Sequence, residues 1–151
     1  MLKETKRLLI RPFREEDAEA WQPILSDPEV MRYLEAPFSL EQTRRFIREF
    51  GLCTPPLVWA LTGKASGCPA GHLIWHPFGD GTMELGWVLR REHWGQGLAT
   101  ELAEALLGEA QTDVVIECLP EQAATRHIAE KLGFTCEGEK DGLLVWRKSH
   151  L

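Results

Sequence analysis

The sequence contains no CxxC pair and no cluster of cysteine with histidine, since Cys53, Cys68, Cys118 and Cys136 stand far apart. Neither a zinc site nor a redox pair is suggested, and the four read as reduced packing residues. An excess of basic charge is also missing. The net charge of -6 argues against nucleic acid as a partner and suits a cationic molecule or a basic protein. The opening Met1-Leu2-Lys3-Glu4-Thr5-Lys6-Arg7 lacks the apolar stretch of a signal peptide. No apolar run approaches the roughly 20 residues that cross a bilayer, so the expected location is the cytoplasm, away from membranes. There is no internal repeat and no low-complexity tail. Two phosphate-binding signatures are absent as well. No GxxxxGK precedes a Ser or Thr, and no GxGxxG follows the first strand, which excludes a Walker loop and a dinucleotide fingerprint.

What is present is ordinary globular material. The chain has 151 residues, 44% of them hydrophobic, with six Trp and six Phe. That length closes one hydrophobic core without disulfides or metals, so residues 1–151 are expected to form a single domain. Arg7 to Arg11 reads as a first strand ended by Pro12, which cannot donate to a sheet ladder. Two helices follow: Glu15 to Leu25, with Ala18, Trp21 and Leu25 on one face, and Thr43 to Phe50 behind a capping box of Ser39 and Gln42. The period then changes. Leu57 to Leu61, Gly71 to Trp75 and Met83 to Leu89 are short β-type runs separated by turns at Gly63 to Gly67 and Gly79-Asp80-Gly81, an antiparallel meander. In the third run Met83, Leu85, Trp87 and Leu89 share one face; Glu84, Gly86 and Val88 share the other. Leu98, Leu102, Ala105 and Leu106 restore the helical stripe up to Ala110. Val114 to Cys118 is a buried strand. Gln122 to Leu132 is a helix with Ala124, Ile128 and Leu132 on one face, closed by Gly133. Leu143 to Trp146 pairs with a strand near Cys136 through a turn at Asp141-Gly142.

The stretch with the most chemical content is Trp94-Gly95-Gln96-Gly97-Leu98-Ala99-Thr100, a glycine turn that opens a helix. No strong N-cap side chain stands at that opening, although the first helical N–H groups need acceptors. An anion can supply them: two glycines admit a phosphate close to the backbone, and the helix dipole favours negative charge there. Arg90 and Arg91 lie just upstream and would assist. The same glycines also suit a tight turn that needs them for its own backbone angles.

Three blocks, in order and over nearly the whole chain, decide between these readings. They are ETKRLLIRPFREEDAEAW with SDPEVMRYL, then MELGWVL with HWGQGLATE, then AATR followed by AEKLGF. Together they resemble the GNAT superfamily of acetyl-CoA-dependent N-acyltransferases, and within it the RimJ/RimL-like branch that acetylates protein N-termini. The resemblance implies an α+β fold: a mostly antiparallel mixed sheet of six to seven strands, splayed at the cofactor site and flanked by about four helices. It implies that the N–H groups from Gly95 to Thr100 hold the pyrophosphate of acetyl-CoA, beside Trp94. It further implies that the pantetheine arm inserts along Trp87, Val88 and Leu89, in the manner of strand addition, with Gln122 and Thr125 also near the cofactor. A backbone N–H near Val88 would then polarise the thioester carbonyl. No metal is implied.

The chain departs from the superfamily pattern at several positions. Glu92 stands where Gln or Arg is usual, Gln122 where Asn is usual, and Thr125 where this branch has Ser. Ala129 replaces the tyrosine that in many members protonates the leaving thiolate, which leaves Thr125 or solvent for that task. The only tyrosine, Tyr33, reads as core or substrate wall. Glu84, on the polar face of its strand, is the candidate general base; a solvated cross-strand carboxylate suits the same position. His72 and His76 read as surface or turn histidines, His127 as exposed or near phosphates, and His93 as part of the loop before the turn. Ser26 to Phe38, the turn after Trp75 and the final hairpin would wall the acceptor. That acceptor is an amine: a protein or peptide N-terminus, or a small cationic metabolite or antibiotic. A catalytically silent acetyl-CoA-binding module is the remaining alternative. Monomer and homodimer are both compatible with the sequence.

Overall fold

The computed structural model describes residues 2–79 and 81–150. Met1, Leu151 and Asp80, the middle of the expected Gly79-Asp80-Gly81 turn, lie outside the described residues.

Eight strands form one sheet in the order β1-β2-β3-β4-β5-β6-β8-β7. The chain lays down β1 (Lys3–Glu4), β2 (Leu8–Arg11), a 3₁₀ turn (Glu15–Asp17), α1 (Ala18–Leu25) and α2 (Leu40–Phe46), the last continued by a π turn over Ile47–Gly51. The meander follows as β3 (Val58–Gly63), β4 (Pro69–Pro77) and β5 (Met83–Leu89). Then come α3 (Leu98–Glu109), β6 (Val114–Cys118), α4 (Ala123–Lys131), β7 (Thr135–Lys140) and β8 (Leu143–Lys148). The sheet is one strand larger than the upper expectation, because β1 is a two-residue pairing of Lys3 with Ile10 and Glu4 with Leu9. Runs that short carry no periodicity to read.

Alternation along the strands sorts the core into two layers. One face carries Leu8, Ile10, Leu61, Leu73, Leu85 and Leu89 against Leu98, Leu102 and Leu106 of α3 and Ala129 of α4. The other face carries Val58, Ala60 and Val88 against Ala18, Trp21 and Ile24 of α1, with Ile47 beside them. The expected division of β5 therefore holds, with Leu85 and Leu89 below and Val88 above. The Ser39–Gln42 capping box is also formed, through Gln42 N–H to Ser39 Oγ at 3.1 Å and Ser39 N–H to Gln42 Oε1 at 2.8 Å. Asp141 and Gly142 take φ of 54° and 85°, the backbone a tight β7–β8 hairpin requires.

Three expectations need correction. On α4 the fully buried residue is Ala129, whereas Ala124 is exposed, so the inward face is rotated by one position from the expected stripe. All four cysteines are free, but only Cys118 is buried; Cys68 and Cys136 are exposed and are not packing residues. His72, expected at the surface, is only 4% exposed and lies against the Phe46 ring at 5.1 Å.

Two buried polar contacts tie α1 to the sheet. Trp21 donates its indole N–H to the Gly71 carbonyl at 2.7 Å, at a glycine whose absent Cβ would fall 1.9 Å from Val88 O. Arg11 donates to both carboxylate oxygens of Asp17, at 2.8 and 2.9 Å, and Asp17 Oδ2 also accepts the Arg14 N–H. Both side chains are largely withdrawn from water, at 14% and 9% exposure. Removing one partner strands the other's charge, so Asp17→Ala is expected to lower the unfolding free energy by about 3 kcal/mol, measured by urea unfolding at pH 7.

Candidate active site

The site is built around the passage from β5 to α3. After Leu89 the chain makes a 3₁₀ turn over Arg91–His93, then reverses at Gly95 and Gly97, whose φ values are 73° and 78°. Only glycine takes this left-handed backbone without strain. Gly97 is itself the N-cap of α3, and no side chain caps the helix. The first bond into the helix is Glu101 N–H to Gly97 O. In the turn, Trp94 Nε1–H donates to Leu89 O and Gln96 Nε2–H to Glu92 O, both at 2.9 Å. Among the described residues, the N–H groups from Gly95 to Thr100 have no acceptor. These groups stand at the positive end of a twelve-residue helix, an arrangement suited to an anion.

Next to this turn the sheet opens. β5 and β6 run parallel and pair only at Met83 with Val114 and Glu84 with Val115. Beyond that point β6 stays laddered to β8 through Cys118, while Leu85 to Leu89 of β5 have no partner on that side. α3 packs against β5 and α4 against β6, so one helix flanks each wall of the gap. From Glu84 at the closed end to Leu89 at the open end is five steps along the strand, about 17 Å. Trp87, Val88 and Leu89 line the open end, with Val88 and Leu89 each 6% exposed.

On the α4 side, Gln122 precedes the helix and accepts the Leu119 N–H on Oε1 at 2.8 Å, so its carbonyl end is committed to the backbone. Thr125 is half-buried in the first turn. Ala129 is 0% exposed and belongs to the core beneath the sheet.

Glu84 is the titratable group at the closed end. Burial pushes its carboxyl above the ordinary value; the charge on His76 pulls it back, Glu117 adds to the push, and a hydrogen bond with His76 opposes it. The net direction is upward. Oε1 lies 3.1 Å from His76 Nε2, and both side chains are about four-fifths buried, at 19% and 21% exposure. A cavity of about 610 Å³ is lined by Phe78 and Thr82, by Glu117 of β6, and by Glu137, Glu139, Lys140, Asp141 and Arg147.

The upstream arginines are not placed as expected. Arg91 makes a fork with Asp27, at 2.8 to 3.0 Å, and Arg90 donates to Pro69 O at 2.9 Å while pairing with Glu92. The cation beside the turn is Arg7, whose Nη2 lies 3.7 Å from the point where a Gly97 Cβ would stand. Its position is set by Glu101 in the first turn of α3, which accepts from Arg7 Nε–H, Arg7 N–H and Thr5 Oγ–H at 2.6 to 2.8 Å. Arg7 and Glu101 are 94 residues apart in sequence, and no local pattern signals their contact. His127 is exposed on α4, His93 is in the loop before the turn, and Tyr33 is half-buried with the Arg32 guanidinium 5.2 Å from its ring centre. Among the described residues, no group of three or more His, Cys, Asp or Glu could hold a metal ion.

Comparisons by family, sequence and structure each find acetyltransferases. The acetyltransferase (GNAT) domain family matches residues 7–135. The uncharacterized N-acetyltransferase YnaD of Bacillus subtilis (strain 168) is 30% identical over 141 residues, spanning 89% of this chain and 82% of that protein. A GNAT-family acetyltransferase from Bacillus anthracis superimposes with a TM-score of 0.87 at 27% identity, covering 99% of both chains. RimL, the ribosomal L7/L12 α-N-protein acetyltransferase solved with coenzyme A, shares the fold at 17% identity, with a TM-score of 0.79 over 99% of this chain and 98% of its own.

Burial raises Glu101, but the Thr5 hydroxyl, the Arg7 guanidinium and the Arg7 N–H together hold its carboxyl below the usual range. A depressed folded value stabilises the protein above the ordinary glutamate pKa and is lost as pH falls through the folded one. Glu101→Ala is therefore expected to melt about 3 °C below wild type at pH 7. The gap should close below about pH 4, as followed by thermal unfolding from pH 3 to 7.

Proposed function

The chain belongs to the GNAT acetyltransferase family, and from that premise we propose that it transfers the acetyl group of acetyl-CoA to the α-amine of a protein or peptide N-terminus, acting in the cytoplasm as a single domain over residues 1–151. The observation that carries this reading is the uncapped start of α3, standing at the mouth of the gap where β5 and β6 lose their pairing. In this reading the N–H groups of Gly95, Gln96, Gly97, Leu98, Ala99 and Thr100 hold the pyrophosphate, with the Trp94 ring beside them. The backbone of Trp87, Val88 and Leu89 offers hydrogen bonds to the pantetheine arm, and Thr125 of α4 faces it together with Gln122 just before that helix. When bound, acetyl-CoA supplies an acyl thioester with a leaving group that ionises near pKa 8.5, roughly the value of a free thiol.

Glu84 then takes the proton of the incoming amine. An α-amine, with pKa of about 7.7 to 8.0, needs modest help near pH 7, and a carboxylate made more basic by burial provides it. Ala129 carries no proton donor, and the Thr125 hydroxyl, one turn earlier on α4, serves the departing sulfur. The cavity lined by Glu117 carries four carboxylates, Glu117, Glu137, Glu139 and Asp141, against two cations, Lys140 and Arg147, and this balance favours a positively charged acceptor. The fold similarity to RimL supports an N-terminal amine; the acidic cavity alone suits a small cationic amine equally, and that is the second reading.

Thiol release from acetyl-CoA is expected with short peptides bearing free N-termini and to be weaker with small polyamines or aminoglycosides. Turnover confined to small amines would establish the second reading. Cofactor binding without release for any acceptor would mean a silent module. Gly97→Trp, which forces a side chain onto a left-handed residue at the turn, should weaken acetyl-CoA binding by at least about tenfold in calorimetry, with an unchanged circular dichroism spectrum. Unchanged affinity would refute the assignment of the turn.

A further inference from the structure

His76 stands on β4 directly across the ladder from Glu84. Its Nδ1 lies 2.8 Å from Pro77 O, and its Nε2 lies 3.1 Å from Glu84 Oε1. A carbonyl only accepts, so Nδ1 must carry a proton. The contact on Nε2 then needs one more proton, shared between imidazole and carboxyl. With that proton on the ring, His76 is a cation hydrogen-bonded to an ionised Glu84, and Oε2 of the carboxylate is the oxygen left for the acceptor amine.

We propose that His76 is a positioning residue for acyl transfer: fixed through Nδ1–H to the Pro77 carbonyl, it donates Nε2–H to Glu84, holds the carboxylate in one orientation and keeps it ionised to receive the amine proton. The inference rests on the reading of Glu84 as the base and goes beyond it, since it makes the competent base a pair. The proton lost by the acceptor ammonium goes to Glu84, while His76 keeps its own throughout.

The surroundings explain why the carboxylate needs such a partner. Among the described residues, β6 presents Glu117 on the same face, which repels a second negative charge. Arg147 of β8, opposite Val115, is already paired with Glu137 and Asp113. His72, four residues before His76 on β4, is held neutral, its imidazole pushed down to about 4 by burial. α3 packs on the opposite face of β5, and its carboxylate Glu101 is turned to Thr5 and Arg7. Without His76, the groups that favour a protonated, inert Glu84 act unopposed.

The test combines kinetics with a spectroscopic readout that needs no turnover. In His76→Ala, kcat/KM for a peptide acceptor at pH 7 should fall about tenfold, and the acid limb of its pH profile should move up by about one unit, since a base is lost as pH drops through its pKa. The KM for acetyl-CoA should stay as in wild type. His76→Gln, which can still donate to Glu84 but carries no charge, should recover part of the rate and none of the limb shift. Long-range ¹H–¹⁵N spectra of the wild-type imidazole should show Nδ1 protonated at every pH, and Nε2 protonated at pH 7 in a form lost in Glu84→Gln. A wild-type pH profile in His76→Ala, or a ring that is neutral at pH 7 with its proton on either nitrogen, would overturn the proposal. If Glu84→Gln abolishes turnover while His76→Ala is unaffected, only the pairing falls. If the pairing is seen in the spectra and neither variant alters the rate, the reading of Glu84 as the base falls with it.

Discussion

The ladder between β5 and β6 stops after two residue pairs, and the rest of the site depends on that stop. A parallel sheet buried between helices ordinarily satisfies every backbone group along its strands. Here β6 instead stays with β8, which is anchored over five pairs, while β5 remains with β4 over seven. The two halves of the sheet are each complete on their outer sides and part company along the inner one. The result is a slot with backbone donors and acceptors on its walls, a carboxylate at its closed end and an uncapped helix at its open end.

Holding such a slot open takes rigidity nearby. α3 supplies it on one side, because Leu98, Leu102 and Leu106 are locked into the lower core and Glu101 ties the helix start to the β1–β2 turn. On the upper side the Trp21 indole meets Gly71, and the close approach of Gly71 to Val88 brings β4 tightly against the strand that lines the slot. The turn residues themselves contribute little: Gly95 and Gly97 are exposed and touch almost nothing. Their role is to take a backbone shape that leaves the following amides free.

Much of this is legible in the residues. The capping box, the faces of β5, the bounds of β5 and β6, and the glycine opening of α3 follow from spacing and turn chemistry, which act over a few neighbours. What escapes is whatever depends on register or distant contact. His76 reads as a turn histidine until the β4–β5 hairpin sets it opposite Glu84. Arg90 and Arg91 are adjacent to the turn in sequence, yet Pro69, Glu92 and Asp27 claim them, and the cation beside Gly97 comes from the far end of the chain. The inward face of α4 is misjudged by one position because Ala123 and Ala124 carry too little apolar surface to mark which side is buried.

The edges of the sheet carry a consequence for how copies of this chain meet. One edge, β1, is two residues long. The other, β7, is exposed at every position, slips register between Cys136 and Gly138, and bears Glu137, Glu139 and Lys140. Short, kinked and charged borders are poor templates for strand exchange. Strand pairing between crowded molecules is thereby disfavoured along these two borders.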